Sequence, residues 1–376
     1  MAKFNVDERN LEQEIVNTMG SESPNEFASL QAGFYQDLLN EIETLKKENI
    51  DFRNEEDMVG AGFRRLTSEE KNFYNKVVEE RTLAGQENAE MLMPETIVLR
   101  VFEEIQDESP LLGKININYT RGVSKLIYTK AGTDIATWDE ITSEIEPQLK
   151  FSIETLDISQ YKLKAYMVIP QDLLEPALGI YWLDRYVVQF LVRGMRRGLE
   201  KAIIEGTGVK QPIGLLKDVE GARIDGDPYP DKETVALTEL SPAELGTKVE
   251  GVLNEKNVGN IVFVLNNSDY VQKWRPLLAY QTYTGQWAYN TLPIPADVVV
   301  SEFMPAGKAV AFRTDKYHLG VSLATKVEKS DHNRFLEDDR VYKAKLFANG
   351  RPEDANTAVV LDISELSATT DTTGTV

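Results

Sequence analysis

The stretch EGTGVKQPIGLL, residues 205–216, carries Gly206, Gly208 and Gly214 around Lys210 and Pro212. These residue types build phosphate-cradling loops, so nucleotide chemistry is the first reading to test. A P-loop needs Gly, four residues, then Gly-Lys-Ser/Thr, because lysine and hydroxyl must reach phosphate and Mg²⁺ together. Five positions beyond Gly208 stands Ile213, and Gly214 is followed by Leu215 and Leu216. The dinucleotide fingerprint also fails, since Gln211 occupies the place of its third glycine. Both loops follow a strand and open a helix, whereas these glycines close one. The residues support a helix C-cap and a tight turn, with Gly206 in the left-handed conformation.

Other chemistry is thinly supplied. The two histidines, His318 and His332, have no metal-ligand spacing such as H-E-x-x-H. His318 follows Tyr317 in a predicted strand and reads as a packed or edge residue, while His332 lies in the polar turn KSDHNRF. DGDPYPD, with Asp225, Asp227 and Asp231, lacks the ligand spacing and terminal Glu of an EF-hand loop. It reads as a solvated turn built by Gly226, Pro228 and Pro230. There is no G-x-S-x-G and no cysteine, which removes thiolate catalysis, disulfides and cysteine zinc sites together. The expectation is no catalytic residue, no metal and no cofactor.

At 376 residues and 42% hydrophobic composition, the chain has room for about two or three domains and a sizeable core. It carries 61 acidic and 41 basic residues, a net charge of −20, a balance that argues against tightly held nucleic acid. No apolar run reaches the roughly eighteen residues of a membrane span, and MAKFNVDERN lacks a signal-peptide core. The expectation is a soluble protein made in a cytoplasm, with no membrane partner.

The elements follow from periodicity. Residues 1–90 hold 20 acidic and 10 basic residues, half of the total excess. Phe27, Leu30, Phe34, Leu38, Ile42 and Leu45 recur at helical steps. In LTSEEKNFYNKVVEE, Thr67 and Glu70 form a capping box, and Phe73, Val77 and Val78 mark one face. A helix begins near Pro94, with Ile97, Val98, Val101 and Ile105 inward, and stops at Ser109-Pro110. Between about 115 and 169 the period becomes two: Leu149, Phe151 and Ile153 alternate, as do Leu163, Ala165, Met167 and Ile169. The polar stretch 131–148 between them makes this a long two-stranded excursion with little core of its own, which needs a surface to lie on.

The longest helix spans 180–205, with Leu183, Val187, Phe190, Gly194, Gly198 and Ala202 on one face. Gly194, Gly198 and Ala202 permit close backbone approach. Arg193, Arg196, Arg197 and Lys201 favour a salt-bridged face over a nucleic-acid face in so acidic a chain. Beyond 218 the pattern mixes helix and strand. Ser241, Pro242 and Glu244 open a helix as a capping box, NIVFVL is a buried strand, and NSDYVQKWRPLL is a helix broken at Pro276. LPIPADVVV, KAVAFRT, HLGVSLA, RVYKAKLFANG and TAVVLDI are further strands, and SELSATTDTTGTV is flexible by composition.

The order of these pieces carries a resemblance. An acidic helical arm precedes ESPLLGKI, a long hairpin, IPQDLLEPA and a long helix closed by GTGVKQPIGLL; then come IVFVLNNSDYVQKW, LPIPADVVVSE and DHNRFLEDDRVYKAKLF. Over about residues 93–363 the chain resembles the major capsid proteins of tailed bacteriophages, of the Hong Kong 97 type. RRLTSEEKNFYNKV is similar to the N-terminal part of such proteins from phages of Gram-positive hosts. The resemblance implies an α+β subunit and not an enzyme. Residues 1–92 would be an N-terminal arm with a scaffold-like helical portion. Residues 1–90, outside the recognisable fold, are expected to add little to the stability of the folded subunit; the alternative is that their helices dock into the main core as a structural subdomain. Residues 93–126 would begin the peripheral domain. Residues 127–168 would be an extended loop lying on a neighbouring subunit, and 169–217 more of the peripheral domain with the spine helix 180–205. Residues 218–317 would form the axial domain, 318–350 the peripheral return strands, 351–363 the axial closure and 364–376 a flexible tail.

Gly206, Gly208, Pro212 and Gly214 would then be the hinge by which the chain crosses between domains. The implied partners are copies of the chain in pentamers and hexamers, a portal, scaffold or decoration proteins, and packaged double-stranded DNA by weak non-specific contact. The implied location is the virion, with assembly in the host bacterial cytoplasm. Some family members cross-link a loop lysine to a neighbour's asparagine. Here the loop has Lys125, Lys130, Lys150 and Lys162, but RFLEDDR offers Asp338 and Asp339, so no cross-link is implied. Two rivals stand beside this reading. One is an encapsulin-like nanocompartment shell, against which the acidic arm argues; the other is a cytoplasmic hydrolase or nucleotide-binding enzyme, against which the missing motifs argue.

Overall fold

The computed structural model describes residues 55–79, 91–120, 124–130, 152–158, 161–170, 179–224, 226–249, 252, 261–281, 285–288, 292, 294–323, 326–330 and 339–366. Its helices are α1 (Glu55–Gly60), α2 (Ser68–Glu79), α3 (Glu95–Glu108), α4 (Gly179–Glu205) and α5 (Pro242–Lys248). Its strands are β1 (Met91–Leu92), β2 (Ile117–Thr120), β3 (Ser124–Lys130), β4 (Ser152–Ile158), β5 (Tyr161–Pro170), β6 (Thr234–Ala236), β7 (Ile261–Leu265), β8 (Tyr280–Gln281), β9 (Trp287–Ala288), β10 (Ala296–Val300), β11 (Lys308–Arg313), β12 (Tyr317–Ser322), β13 (Lys326–Ser330), β14 (Asp339–Pro352) and β15 (Ala358–Asp362). The fold is α+β. The helical stripe expected over 26–47, the alternation at Leu149 and Phe151, and His332 lie outside the described residues.

Local chemistry explains several element ends. The capping box at α2 is present: Thr67 N donates to Glu70 Oε2 at 2.8 Å and Glu70 N to Thr67 Oγ1 at 3.3 Å. At α5, Glu244 N donates to Ser241 Oγ at 3.2 Å. The Glu244 carboxylate, however, accepts from Thr238 N and Glu239 N instead of closing the expected box on Ser241. The break at Pro276 is a widened turn. Asn267–Asp269 is α-helical, Tyr270–Trp274 is π-wound and Arg275–Leu278 is α-helical again. A proline cannot donate to the carbonyl four residues earlier and its ring crowds that carbonyl, so the preceding turn opens.

The strands sort into two principal sheets. One runs β1-β13-β14-β12-β2, with β5 on the other edge of β14. The second runs β10-β7-β11-β15-β6. Period-two alternation buries both faces of the second sheet. Val262, Val264, Val310 and Phe312 join one core with α3 and α4, while Ile261, Phe263, Leu265, Ala309 and Ala311 join another with Leu245, Trp274 and Leu278. The Phe263 and Trp274 rings lie 5.3 Å apart.

Three expectations change. The hairpin is narrower than 127–168: β3 and β4 pair from Ser124↔Ile158 to Lys130↔Ser152, whereas β5 pairs with β14 from Tyr161↔Ala348 to Pro170↔Asp339. Residues 161–168 therefore belong to the first sheet, because β14, a longer strand of matching alternation far along the chain, offers β5 a full ladder. Residues 55–79 do not stand outside the main core. Met58, Phe63, Leu66, Phe73, Tyr74 and Val77 are buried in the same cluster as α3 and α4. Finally, Leu366, assigned to the flexible tail, is 3% exposed in the second core.

Candidate functional site

α4 is the post around which the body is built. Its first half is buried nearly all round, through Tyr181, Trp182, Tyr186, Val188, Leu191 and Val192, and its second half through Met195, Leu199, Ile203 and Ile204. The expected small-residue stripe is a secondary contact. Gly194, Gly198 and Ala202 are half-buried, and a Cβ on Gly198 would meet Leu163 Cδ1 of β5 at 3.1 Å. The basic residues include salt-bridged ones: Arg196 reaches Glu108 at 3.2 Å and Arg197 reaches Glu302 at 3.3 Å.

At the end of α4 the chain folds back and braces the helix. Leu215 N donates to Ile203 O at 2.7 Å and Leu216 N to Ile204 O at 3.2 Å, satisfying terminal carbonyls that would otherwise lack partners. Gly214 N donates to Gly206 O at 2.8 Å, Gly208 N to Pro212 O at 3.1 Å, and Ile213 N to Gly350 O at 2.8 Å. The buried Tyr317 hydroxyl donates to Ile213 O at 3.0 Å, and burial pushes its pKa far up. The crossing brings together Gly206, Gly208, Pro212 and Gly214, but Gly206 acts differently from expectation.

Gly206 is not left-handed; the positive φ angles of this loop belong to Gly208 (79°) and Lys210 (57°). Gly206 is needed because a Cβ would sit 2.2 Å from both Ala202 O and Pro212 O. Gly214 likewise faces Ile204 O and Gly206 N at 2.5 Å. Close backbone approach, and not handedness, fixes these two positions.

Residues flanking the loop that follows, Lys217, Asp231 and Lys232, complete the brace. Lys217 pairs with Asp231 at 2.5 Å, and Lys232 Nζ donates to Ala358 O at 2.7 Å and also to Ala355 O. Burial lowers the Lys232 pKa. Sequence reading missed Lys232 and Tyr317, whose partners lie about a hundred residues away. His318 is packed in β12 as expected, with Nε2 3.4 Å from Glu353 Oε2. Burial works against ionisation of Glu353, but contacts from His318 and Lys316 outweigh it and hold the carboxyl below its ordinary range. Gly226 has φ 94°, which suits the turn read in DGDPYPD. Among the described residues no group of His, Asp or Glu is placed to hold a metal ion, and no helix is long and apolar enough to cross a membrane.

The β3–β4 hairpin forms a two-stranded sheet of its own, joined to no other strand among the described residues.

The sequence matches the model of the phage capsid family over residues 89–363. No curated protein matches it. Solved structures that it resembles include the capsid of an empty GTA particle, at 16% identity over 81% of this chain and 96% of that one, TM-score 0.48. A satellite phage P4 procapsid matches at 10% identity over 72% and 99%, TM-score 0.44. The structure titled Mycobacterium phage Cain matches at 13% identity over 68% and 89%, TM-score 0.41.

Proposed function

Because the chain belongs to the phage capsid family, as a shell subunit, we propose a division of labour within it. The second sheet, with residues 218–317 and 351–363, is the axial domain at the capsomer centre. The first sheet, α3 and α4, from 93–126, 169–217 and 318–350, is the peripheral domain. The braced crossing at Gly206, Gly208, Pro212 and Gly214 fixes the angle between the two. Gly194, Gly198 and Ala202 let β5 lie close on the spine helix. The hairpin within 127–168 lies on a neighbouring copy, and copies assemble as pentamers and hexamers into an icosahedral shell. The shell closes on a portal and encloses double-stranded DNA that it holds only weakly, in a virion built in the cytoplasm of a bacterial host, of Gram-positive type.

The observation that carries this reading is the hairpin. Two strands with seven register pairs and no third strand among the described residues are marginal in water unless they lie on something, and a second copy of the chain supplies that surface. A rigid two-sheet body with an adaptable hairpin lets identical subunits make non-identical contacts. The acidic balance suits a wall that must not grip its contents, since each Lys–phosphate contact adds affinity through counterion release. Negative-stain microscopy of the purified protein tests the reading. Rings or closed shells are expected, and a monomer that persists at tens of micromolar in crowding agent and salt overturns it.

A further inference from the structure

Residues 55–79 precede the family-matched region, which begins at residue 89, yet they are packed onto it. Their apolar side is ordinary: the Phe63 ring lies 5.8 Å from that of Trp182, and Phe73, Tyr74 and Val77 are buried. Their polar side is not. Glu70 has a fully buried side chain. Its carboxylate accepts from Arg64 Nη2 at 2.5 Å, from Thr67 N at 2.8 Å and from Thr96 Oγ1 of α3 at 2.8 Å. One turn on, the Tyr74 hydroxyl is buried near Asp184 of α4 without a hydrogen-bond partner, and Asp184 accepts from Arg100 Nη2 of α3 at 2.5 Å. Glu104 stands 3.9 Å from Arg100. Lys71 bonds Glu55 at 2.6 Å, over the Tyr181 ring.

We propose that residues 55–79 form a detachable clasp on the capsid subunit body, fastened through the bond of Glu70 to Thr96, which opens as a unit while the body stays folded. Arg64 and Thr67 hold Glu70 from within the segment and Arg100 holds Asp184 from within the body, so the hydrogen bond that crosses the joint is the one from Thr96 to Glu70; a buried carboxylate that loses such a partner costs heavily. A segment fastened in this way is held in one register and is released by a single charge change. The contiguous core of α3, α4 and both sheets continues without it.

The sign of the charge dependence is set at Glu70. Burial disfavours its charge, but Thr67, Arg64 and Thr96 outweigh this and lower its pKa. Its contribution is therefore complete above the ordinary carboxylate range and is lost as pH falls through the lowered value. The clasp should hold on mild acidification and open only below the ordinary carboxylate range.

Hydrogen exchange resolved by segment, corrected for intrinsic rates, tests this in the full chain. In Glu70→Gln at pH 7, α2 amides should lose protection at least tenfold while those of residues 190–204 keep theirs. Wild-type α2 should keep its protection at about pH 5 and lose it only as pH falls below the ordinary carboxylate range, and that pH step should vanish in Glu70→Gln. Thr96→Val, which removes only the body's donor, should weaken α2 protection without touching 190–204. Simultaneous loss at α2 and 190–204 in both variants would make the segment part of one cooperative core. Unchanged α2 protection in both would remove Glu70 as the fastening. Either result overturns the proposal.

Discussion

A methyl group on Gly206 would sit 2.2 Å from two carbonyl oxygens that belong to backbone, so nothing nearby can swing aside. Gly206→Ala should cost about 3 kcal/mol, the upper part of the usual overpacking range, read as a lower urea midpoint. Gly226→Ala is the comparison: φ is 94° but no atom lies within 4 Å, so only backbone strain of about 1 kcal/mol is expected. Equal losses at the two sites would mean that the crossing relaxes easily. Gly198→Leu should fall between them, at roughly 1–3 kcal/mol, because its obstacle is the flexible end of Leu163. Tyr317→Phe removes the bond to Ile213 O and should cost about 1 kcal/mol. Gly208 takes the positive φ that a glycine in this loop suggests, but the reasons for Gly206 and Gly214 are not legible. A glycine after a helix suggests a left-handed cap, and only the return of Pro212 and Ile204 to the same spot shows that space is the constraint.

At the scale of elements, the helices and most strands follow from periodicity, since α3, α4, β7, β11 and β15 each carry their own apolar repeat. What periodicity leaves open is the surface on which each element lies. Phe73 and Val77 announce a buried face on α2 but not that it packs with α4. Twenty acidic residues in 1–90 suggested a solvated arm, yet Glu70 is among the most buried groups of the chain. Likewise β5 alternates as a hairpin strand does, and only β14 reveals its place. Deletions separate the two kinds of N-terminal residue. Removing 1–79 uncovers Trp182 and the α3 face, and should lower the melting temperature by several degrees and promote aggregation. Internal deletion of residues 2–50, which leaves the docked segment in place, is expected to leave melting unchanged. If the longer deletion melts like the intact chain, the buried contacts of Met58, Phe73 and Tyr74 contribute nothing.

For the whole molecule, the proposed division of labour puts stability and assembly in different parts. The body is tied internally at many points: Arg197–Glu302 and Lys114–Asp297 bridge the spine helix and β2 side to the second sheet, and Lys232 and Tyr317 brace the crossing. The β3–β4 hairpin contributes no strand to either principal sheet. Replacing residues 124–158 by a short Gly/Ser linker should therefore spare the body and remove a contact between copies. The expected product is soluble, with a calorimetric transition within a few degrees of the intact chain, but it should sediment as small oligomers where the intact chain forms shells. A subunit that unfolds without the hairpin would assign it to the core. A shortened chain that still closes regular shells of normal size would show that β3 and β4 carry no contact on which the shell depends, and the division of labour proposed for the subunit would fail at its first joint.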